Sequence, residues 1–482
     1  MTARIGELPT LVERPPLQGT DLLVKVPFLK ALVRSRSFQF LLILPNMVVF
    51  YALILAGIFG HPLGSVNAAV VWIWILWWFL LIALLVPLGA RAWCAMCPLP
   101  APGEWIQRRS IVRFRGFAKP RGQNRQWPAR FRNIWLQNFG FLGLAAISAL
   151  LVTRPMVTVV VVGGIWVLAT VLMLRYRRRA FCVYLCPVSG FQGLYSMVSP
   201  IAMRPKDSSV CDLHKPVKGC VVGSRPKDAT GALGYPCPWF QTPFHLDRNN
   251  YCGLCMECVK SCQKDNMGLF WRGGRMDVVL KGRDEAWKAF IMTALAAVYI
   301  ITLQGPYGRL KAWANVTFTH AWDGYAVLVL GMLVAALVIL PAIHAGFVEV
   351  ARRLAGKGVR HWDLFVRGAF GLVPLGLAAW LAFSIPLVLV NWAYIPQTLS
   401  DPFGWGWNLF GTKYVAWHPL GAGYIPLIQA GLVVLGLAVG IVKSRRALEP
   451  MFQEARQTTR ALVPVAAFLT VVAAGFLALF TG

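Results

Sequence analysis

Cysteines carry the most specific chemical signal in this sequence, and all 11 lie between Cys94 and Cys262. A Cys-x2-Cys-x2-Cys-x3-Cys run is formed by Cys252, Cys255, Cys258 and Cys262. At this spacing a tight loop can bring thiolates to the irons of a [4Fe-4S] cluster. Inert buried cysteines rarely recur in this way, and a zinc site would leave most of the other cysteines unexplained. The run therefore predicts an iron-sulfur cluster.

Two arrangements of cluster ligands are consistent with this run. Gln263 follows the last cysteine of the run where a ferredoxin has proline, whereas Pro238 follows Cys237. Because the fourth cysteine of a run binds the other cluster in two-cluster ferredoxins, Cys262 could join Cys211, Cys220 and Cys237. That arrangement leaves the run one ligand short, to be supplied from elsewhere. The alternative is one local cluster bound by the four cysteines of the run.

The remaining four cysteines form an internal repeat. The segment from Arg91 to Pro98 reads Arg-Ala-Trp-Cys-Ala-Met-Cys-Pro, and the segment from Arg179 to Pro187 reads Arg-Ala-Phe-Cys-Val-Tyr-Leu-Cys-Pro. Each segment follows a pair of apolar runs, so the two units share one orientation and are related by an axis along the membrane normal. We expect their thiols to meet in one site that holds a cluster or another thiophilic metal. Redox-active dithiols, or Cys-Pro turns that end helices, are the alternatives. The thiols concerned are Cys94, Cys97, Cys182 and Cys186.

The elements that position these thiols are membrane helices. Of the 482 residues, 57% are hydrophobic and only 14% are charged, which excludes a soluble enzyme, a disordered chain and a fibrous protein. We predict an all-α polytopic membrane protein with about nine transmembrane helices and a small cytoplasmic ferredoxin-like iron-sulfur insert. The nine predicted spans are residues 39–60, 68–90, 134–152, 156–174, 289–304, 324–345, 368–393, 420–442 and 461–480.

The net charge of +29 is explained by topology rather than by nucleic-acid binding. Of the 48 Lys and Arg residues, 44 fall in the N-terminal arm and in alternate connecting segments; the other four are Arg154, Arg309, Lys311 and Lys413. The positive-inside rule places the N-terminus and the clusters in the cytoplasm and the C-terminus outside. The first 38 residues lack a signal-peptide pattern. We predict a bacterial-type inner-membrane protein.

Four segments follow from this topology. Residues 1–38 are predicted to form a cytoplasmic arm, and residues 39–200 a duplicated four-helix membrane unit with both Cys-Pro motifs. Residues 201–285 are predicted to form the ferredoxin-like insert, and residues 286–482 a five-helix membrane domain without cysteine.

With its two Cys-Pro pairs followed by a ferredoxin run, the chain resembles the polytopic membrane ferredoxins of the NapH and NosR type, over roughly residues 40–275. The resemblance implies electron transfer between the quinone pool or a cytoplasmic donor and a partner redox protein. It assigns the Cys-Pro role to Cys94, Cys97, Cys182 and Cys186, and cluster binding to the four cysteines of the run. No flavin is predicted, because the arm before the first span is too short for a flavin-binding domain.

The C-terminal half contains few polar landmarks. The predicted spans have no acidic or basic residue in their interiors, which argues against a pump or ion-coupled transporter. His320 and His418 lie at the expected outer interface, in an aromatic-rich region typical of membrane belts. A quinol pocket in which either histidine hydrogen-bonds a quinone oxygen is the sharper alternative. A haem is not predicted, because His344 is the one histidine within a span.

Two functions are consistent with these features. The leading prediction is an electron-transfer component of an oxidoreductase system, quinone-linked or coupled to a partner protein or membrane complex, with one or two [4Fe-4S] clusters and up to three. The alternative is a maturation factor that uses the Cys-Pro thiols to reduce or deliver copper or another metal to a partner enzyme. A further hypothesis makes the C-terminal spans a docking platform for another membrane subunit.

Overall fold

The computed structural model describes residues 19–116, 120–214, 218–224, 233–304, 308–356 and 358–481. The first 18 residues of the predicted cytoplasmic arm lie outside the described residues. The rest of the arm forms strand β1, Thr20–Asp21, and the helices Leu22–Lys25 and Pro27–Arg34. The side chain of Asp21 caps the first of these helices by accepting a hydrogen bond from the Leu23 N–H.

Among the described residues, eight helices are long and apolar enough to cross a membrane, which indicates a polytopic α-helical membrane protein. They are Ser37–Phe59, Ala68–Gly89, Pro155–Arg175, Arg283–Leu303, Trp322–Ala355, His361–Asn391, Ala422–Met451 and Ala455–Phe480.

The predicted span 134–152 is wrong as a single continuous helix. The chain forms the helices Trp135–Ala146 and Ser148–Leu151, which are separated at Ile147. The backbone of Ile147 leaves the helical region (φ −115°, ψ 12°). Neither piece alone has the roughly 20 residues needed to span a bilayer.

Short helices connect and flank these spans. Ala92–Met96 and Ala101–Arg108 follow the second long helix, and Ala180–Tyr184 and Pro187–Tyr195 follow the third. Inside the cysteine-rich segment are Ser208–Leu213, Gly219–Val222 and Glu257–Ser261. Gly308–Trp313 and Tyr394–Ser400 lie between later spans.

The helix Ala68–Gly89 is irregular in a way that shapes the interior. It contains two stretches of π-helix, Val71–Trp77 and Leu81–Leu85. Such wider turns commonly accompany functional sites. Its Trp78 packs on Phe141, Phe191 and Trp380, with ring centroids 5.1 to 6.3 Å apart. The N-terminal and C-terminal membrane units therefore share one hydrophobic core.

A small antiparallel sheet joins the arm to the cysteine-rich segment. Strand β3, Met267–Trp271, lies between β1 and β2, Ile201–Pro205. Phe270 is opposite Asp21 on one side and Ala202 on the other.

Buried ion pairs hold this segment together and join it to a membrane helix. Asp277 accepts hydrogen bonds from both Arg204 and Arg272. The Arg248 guanidinium lies 2.7 Å from the Glu285 carboxylate, at the start of Arg283–Leu303. Because these charges are buried and paired, removing one partner would be costly, and the segment is held in place.

Candidate metal centres

The Cys-Pro repeat brings four thiols to one cavity. Helix Ala92–Met96 carries Cys94, and helix Ala180–Tyr184 carries Cys182. Cys97 and Cys186 follow in extended backbone, each before a proline. All four side chains line the same cavity. We call these four cysteines the first site.

The backbone at the first site repeats as the sequence does. Ala90 and Arg178 both have a positive φ, of 56° and 54°. Each directly precedes the arginine that opens its Cys-Pro segment. Such a φ is uncommon for a residue other than glycine. Its occurrence at equivalent positions shows that the duplication extends to the turns that place the thiols.

Two buried arginines link the halves of the first site. Arg179 donates from Nη1 to the Cys94 carbonyl oxygen at 2.8 Å and forms an ion pair with Glu104. Arg91 donates to the Ser189 hydroxyl, and that hydroxyl donates to the Cys182 carbonyl. Each arginine therefore reaches the cysteine segment of the other repeat.

The buried charge of Arg91 indicates that the first site suits an anionic group. Its Nη2 lies 3.6 Å from the Cys94 sulfur, and the residue is 2% exposed. Among the described side chains, no carboxylate forms an ion pair with it. A buried cation without a counter-charge is expensive, whereas thiolates bound to iron would neutralise it. The residues present therefore fit an iron-sulfur cluster.

Burial controls the protonation of these thiols. It raises the pKa of Cys186 to about 12, and the nearby Cys94 thiol adds to the rise. The pKa of Cys182 is raised for the same main reason, although Arg179 opposes the shift. Because only the thiolate binds metal, a metal centre must displace these protons, and its assembly must release them.

A second site forms around the ferredoxin run. Cys237, Cys252, Cys255 and Cys258 line one cavity. Leu254 and Met256 adopt left-handed backbone, with φ of 47° and 59°, and make the tight loop. Gly253 permits the close approach of Trp239, because a Cβ there would lie 2.0 Å from the indole Cε2.

A third site contains the three remaining cysteines. Cys211, Cys220 and Cys262 line one cavity. Asn266 donates from its backbone N–H to the Cys262 sulfur and from Nδ2 to the Cys211 sulfur, both at 3.2 Å. Hydrogen bonds of this kind stabilise thiolates and tune the potentials of iron-sulfur clusters.

The structure gives neither sequence arrangement in full. Cys262 lies with Cys211 and Cys220, as one arrangement expected, but Cys237 lies with the first three cysteines of the run. The reason is local: Cys262 ends the helix Glu257–Ser261 in extended backbone, which carries it to Asn266. Trp239, two residues after Cys237, packs against Gly253 of the run.

Neighbouring sites share buried residues. Cys94, Cys182, Cys186, Cys237 and Cys255 belong to one buried cluster with Trp239. Trp239 lines the cavities of both the first and second sites. Cys220 of the third site and Cys258 of the second belong to another shared cluster. The second site therefore shares its buried surroundings with both the first and the third site, and we call this series of sites the row.

The two histidines proposed as quinone contacts lie elsewhere. His320 and His418 are exposed, and neither lines the cavity at the first site. The Trp392 indole donates to the His418 carbonyl at 2.8 Å, with the two rings 5.1 Å apart. Their predicted role stays a prediction.

The comparisons with known proteins bear on the first site. A family model described as a 4Fe-4S binding domain matches residues 70–117 and 159–205. The two matches contain the first and second Cys-Pro pairs, respectively. The match supports an iron-sulfur protein with an electron-transfer role. No curated protein and no solved structure matches this chain.

Sequence reasoning missed the residues that surround the sulfurs. The repeated arginines were visible as part of each motif, but their buried positions beside the thiols were not assigned. Trp239, Gly253 and Asn266 had no recognisable spacing. Their contacts depend on segments distant in the chain.

Proposed function

We propose that this protein transfers electrons between a quinone in the membrane and a redox partner on the cytoplasmic side, through three iron-sulfur sites in a row. The observation that carries the proposal is the shared Trp239, which lines both the first and second sites. A cluster bound at each site supplies a one-electron carrier. The two Cys-Pro pairs and the ferredoxin run resemble those of the NapH and NosR type in sequence.

Buried residues of the protein provide positive charge and apolar surroundings for these sites. Arg91 and Arg179 are buried beside the first site and favour its negative charge. Trp239 is 2% exposed and lines the cavities of both the first and the second site. In a low-dielectric interior these charges act more strongly than in water.

The cavity that the four thiols line is also lined by apolar residues of the membrane helices, and these residues support the quinone link. Ligand pockets have mainly apolar, aromatic walls with a few polar groups. Here the walls include Trp78 and Trp380, and Gln192 and Ser189 lie beside the thiols. Among the described residues, the buried Trp77 indole N–H has no hydrogen-bond partner. A quinone ring would find both apolar contact and a donor.

The C-terminal helices contribute directly to this cavity, through residues such as Tyr299 and Trp380. Their proposed role is therefore to form part of the quinone pocket. The copper-delivery alternative stays a prediction.

The test uses two neighbouring valines of the helix Pro155–Arg175. Val161 lines the cavity, whereas Val160 is 65% exposed on the outer face. In anaerobic protein in lipid nanodiscs, Val161→Trp should slow cluster reduction by a quinol at least tenfold. Reduction by dithionite and iron content should not change. Val160→Trp should behave as wild type.

Equal rates of quinol reduction in the two variants would contradict the quinone assignment. No reduction by quinol in the wild type would contradict it as well. Reduction by a soluble donor alone would then make the partner protein, rather than quinone, the source of electrons.

A further inference from the structure

The third site is incomplete as a tetrathiolate. Its cavity contains three thiols, those of Cys211, Cys220 and Cys262, whereas a [4Fe-4S] cluster in a ferredoxin takes four. The other two sites use the remaining eight cysteines of the chain. The fourth ligand must therefore be another side chain, or one iron must remain without a protein ligand.

We propose that His214 is this fourth ligand and binds iron through a ring nitrogen. The inference rests on the proposed function, because it requires a cluster at the third site. His214 lines the same cavity as the three thiols. It directly follows the helix Ser208–Leu213, which carries Cys211. No described residue forms a hydrogen bond with its ring, and imidazole is a good ligand for iron.

The spacing supports this assignment independently. Cys211-x2-His214 repeats the spacing of Cys252-x2-Cys255. The last cysteine of each segment lies in the site of the other segment. Cys237, which precedes Pro238, lies in the second site with Cys252, and Cys262 lies in the third site with Cys211. This exchange is the rule for two-cluster ferredoxins. His214 then occupies the position that a second cysteine holds in a regular run.

The other polar side chains at the third site are less suitable. Asn266 is engaged through both ends of its amide, since Oδ1 accepts from the Asp207 N–H at 3.0 Å and Nδ2 donates to Cys211. Lys218 is a cation over the Phe244 ring. The buried amide oxygen of Gln263 has no partner among the described residues, but a carbonyl oxygen suits harder metals than iron-sulfur clusters use. Gln263 is thus the alternative fourth ligand that the experiment must exclude.

An imidazole ligand has a functional consequence. Replacing a thiolate with a neutral imidazole removes one negative charge from the centre, and histidine ligation raises the potential of iron-sulfur centres. The third site should therefore have the highest potential in the row. Electrons that enter at the first site would therefore collect at the third site.

The experiment is pulsed electron paramagnetic resonance of the full-length reduced protein, with histidine labelled by the heavy nitrogen isotope. We expect a directly coupled histidine nitrogen in the wild type. In His214→Cys, iron per chain should stay constant, this coupling should disappear and the potential of one cluster should fall. Gln263→Ala and the matched histidine variant His245→Gln should keep the coupling.

Three outcomes would overturn the inference. Three clusters without histidine coupling would contradict His214 ligation and leave the proposed function intact. Loss of the coupling in Gln263→Ala with retention in His214→Cys would assign the ligand elsewhere. Iron for only two clusters, with a wild-type third site empty, would contradict both the ligand and the three-site row.

Discussion

The Arg91 guanidinium carbon lies 4.3 Å from the centroid of the Trp239 ring. One residue belongs to the first Cys-Pro segment and the other follows the cysteine that completes the second site. Their stacking places a buried cation between the first and second sites. Cation–aromatic contacts of this kind strengthen when they are desolvated. The pair therefore links the two sites and places a positive charge beside both.

Arg91→Gln should make reduction of the first cluster less favourable, because the added electron loses a nearby positive charge. We expect a lowering of its midpoint potential by about 60 mV or more, equivalent to a tenfold change in a one-electron equilibrium. A spectroscopic redox titration measures it. Arg175→Gln, which removes an arginine paired with Gln123 at the surface, is the control. Equal potentials in the two variants would refute the role of Arg91.

Gly253→Ala should disrupt the second site, because the new Cβ would lie 2.0 Å from the Trp239 indole. Overpacking of this kind typically costs about 1–3 kcal/mol. We expect loss of roughly one cluster of iron per chain and a lower melting temperature. Gly274→Ala, where a Cβ would meet nothing within 4 Å, should change neither. A fully loaded Gly253→Ala protein would show that the close approach is unnecessary.

Glu257→Gln should destabilise the arm and the second site together. Glu257 is buried between Cys255 and Cys258, pairs with Arg36 at 3.0 Å and accepts from the Tyr235 N–H. Removing one partner of a buried ion pair costs about 3–5 kcal/mol. Thermal unfolding should show this loss. Glu449→Gln, at an exposed pair with Arg445, should have little effect.

The pH dependence of that loss follows from the Glu257 pKa. Burial alone favours the neutral acid, but Lys260, Arg36 and Arg108 lower the pKa to about 2, from 4.5. A depressed carboxyl pKa stabilises the fold above the unfolded value, and this stabilisation fades as pH falls toward the folded value. The difference between wild type and Glu257→Gln should therefore be constant from about pH 8 to pH 5. A steady decrease across that range would contradict the ionised pair.

The exchange of Cys237 and Cys262 predicts distinct spectra for single serine variants. Cys237→Ser should remove the same cluster signal as Cys255→Ser, whereas Cys262→Ser should remove a different one. Low-temperature electron paramagnetic resonance of the reduced variants distinguishes them. If Cys262→Ser and Cys255→Ser lose the same signal, the run binds one local cluster instead.

The sequence predicted the parts of this site that depend on spacing along the chain. The cysteine run and the Cys-Pro repeat were visible in their spacing, and most of the spans were visible as apolar runs. The pairing of Cys237 with the run was not, since it depends on Trp239 packing against Gly253. The break at Ile147 was missed because apolar composition continues through it, and no proline or charge marks the interruption.

Iron and acid-labile sulfide per chain, in anaerobically purified protein, test the central claim most directly. Three clusters predict about twelve irons and an equal amount of sulfide. Cys94→Ser with Cys182→Ser should reduce each by about a third and leave the remaining signals unchanged. About four irons in the wild type, unaffected by those substitutions, would contradict the row of three sites.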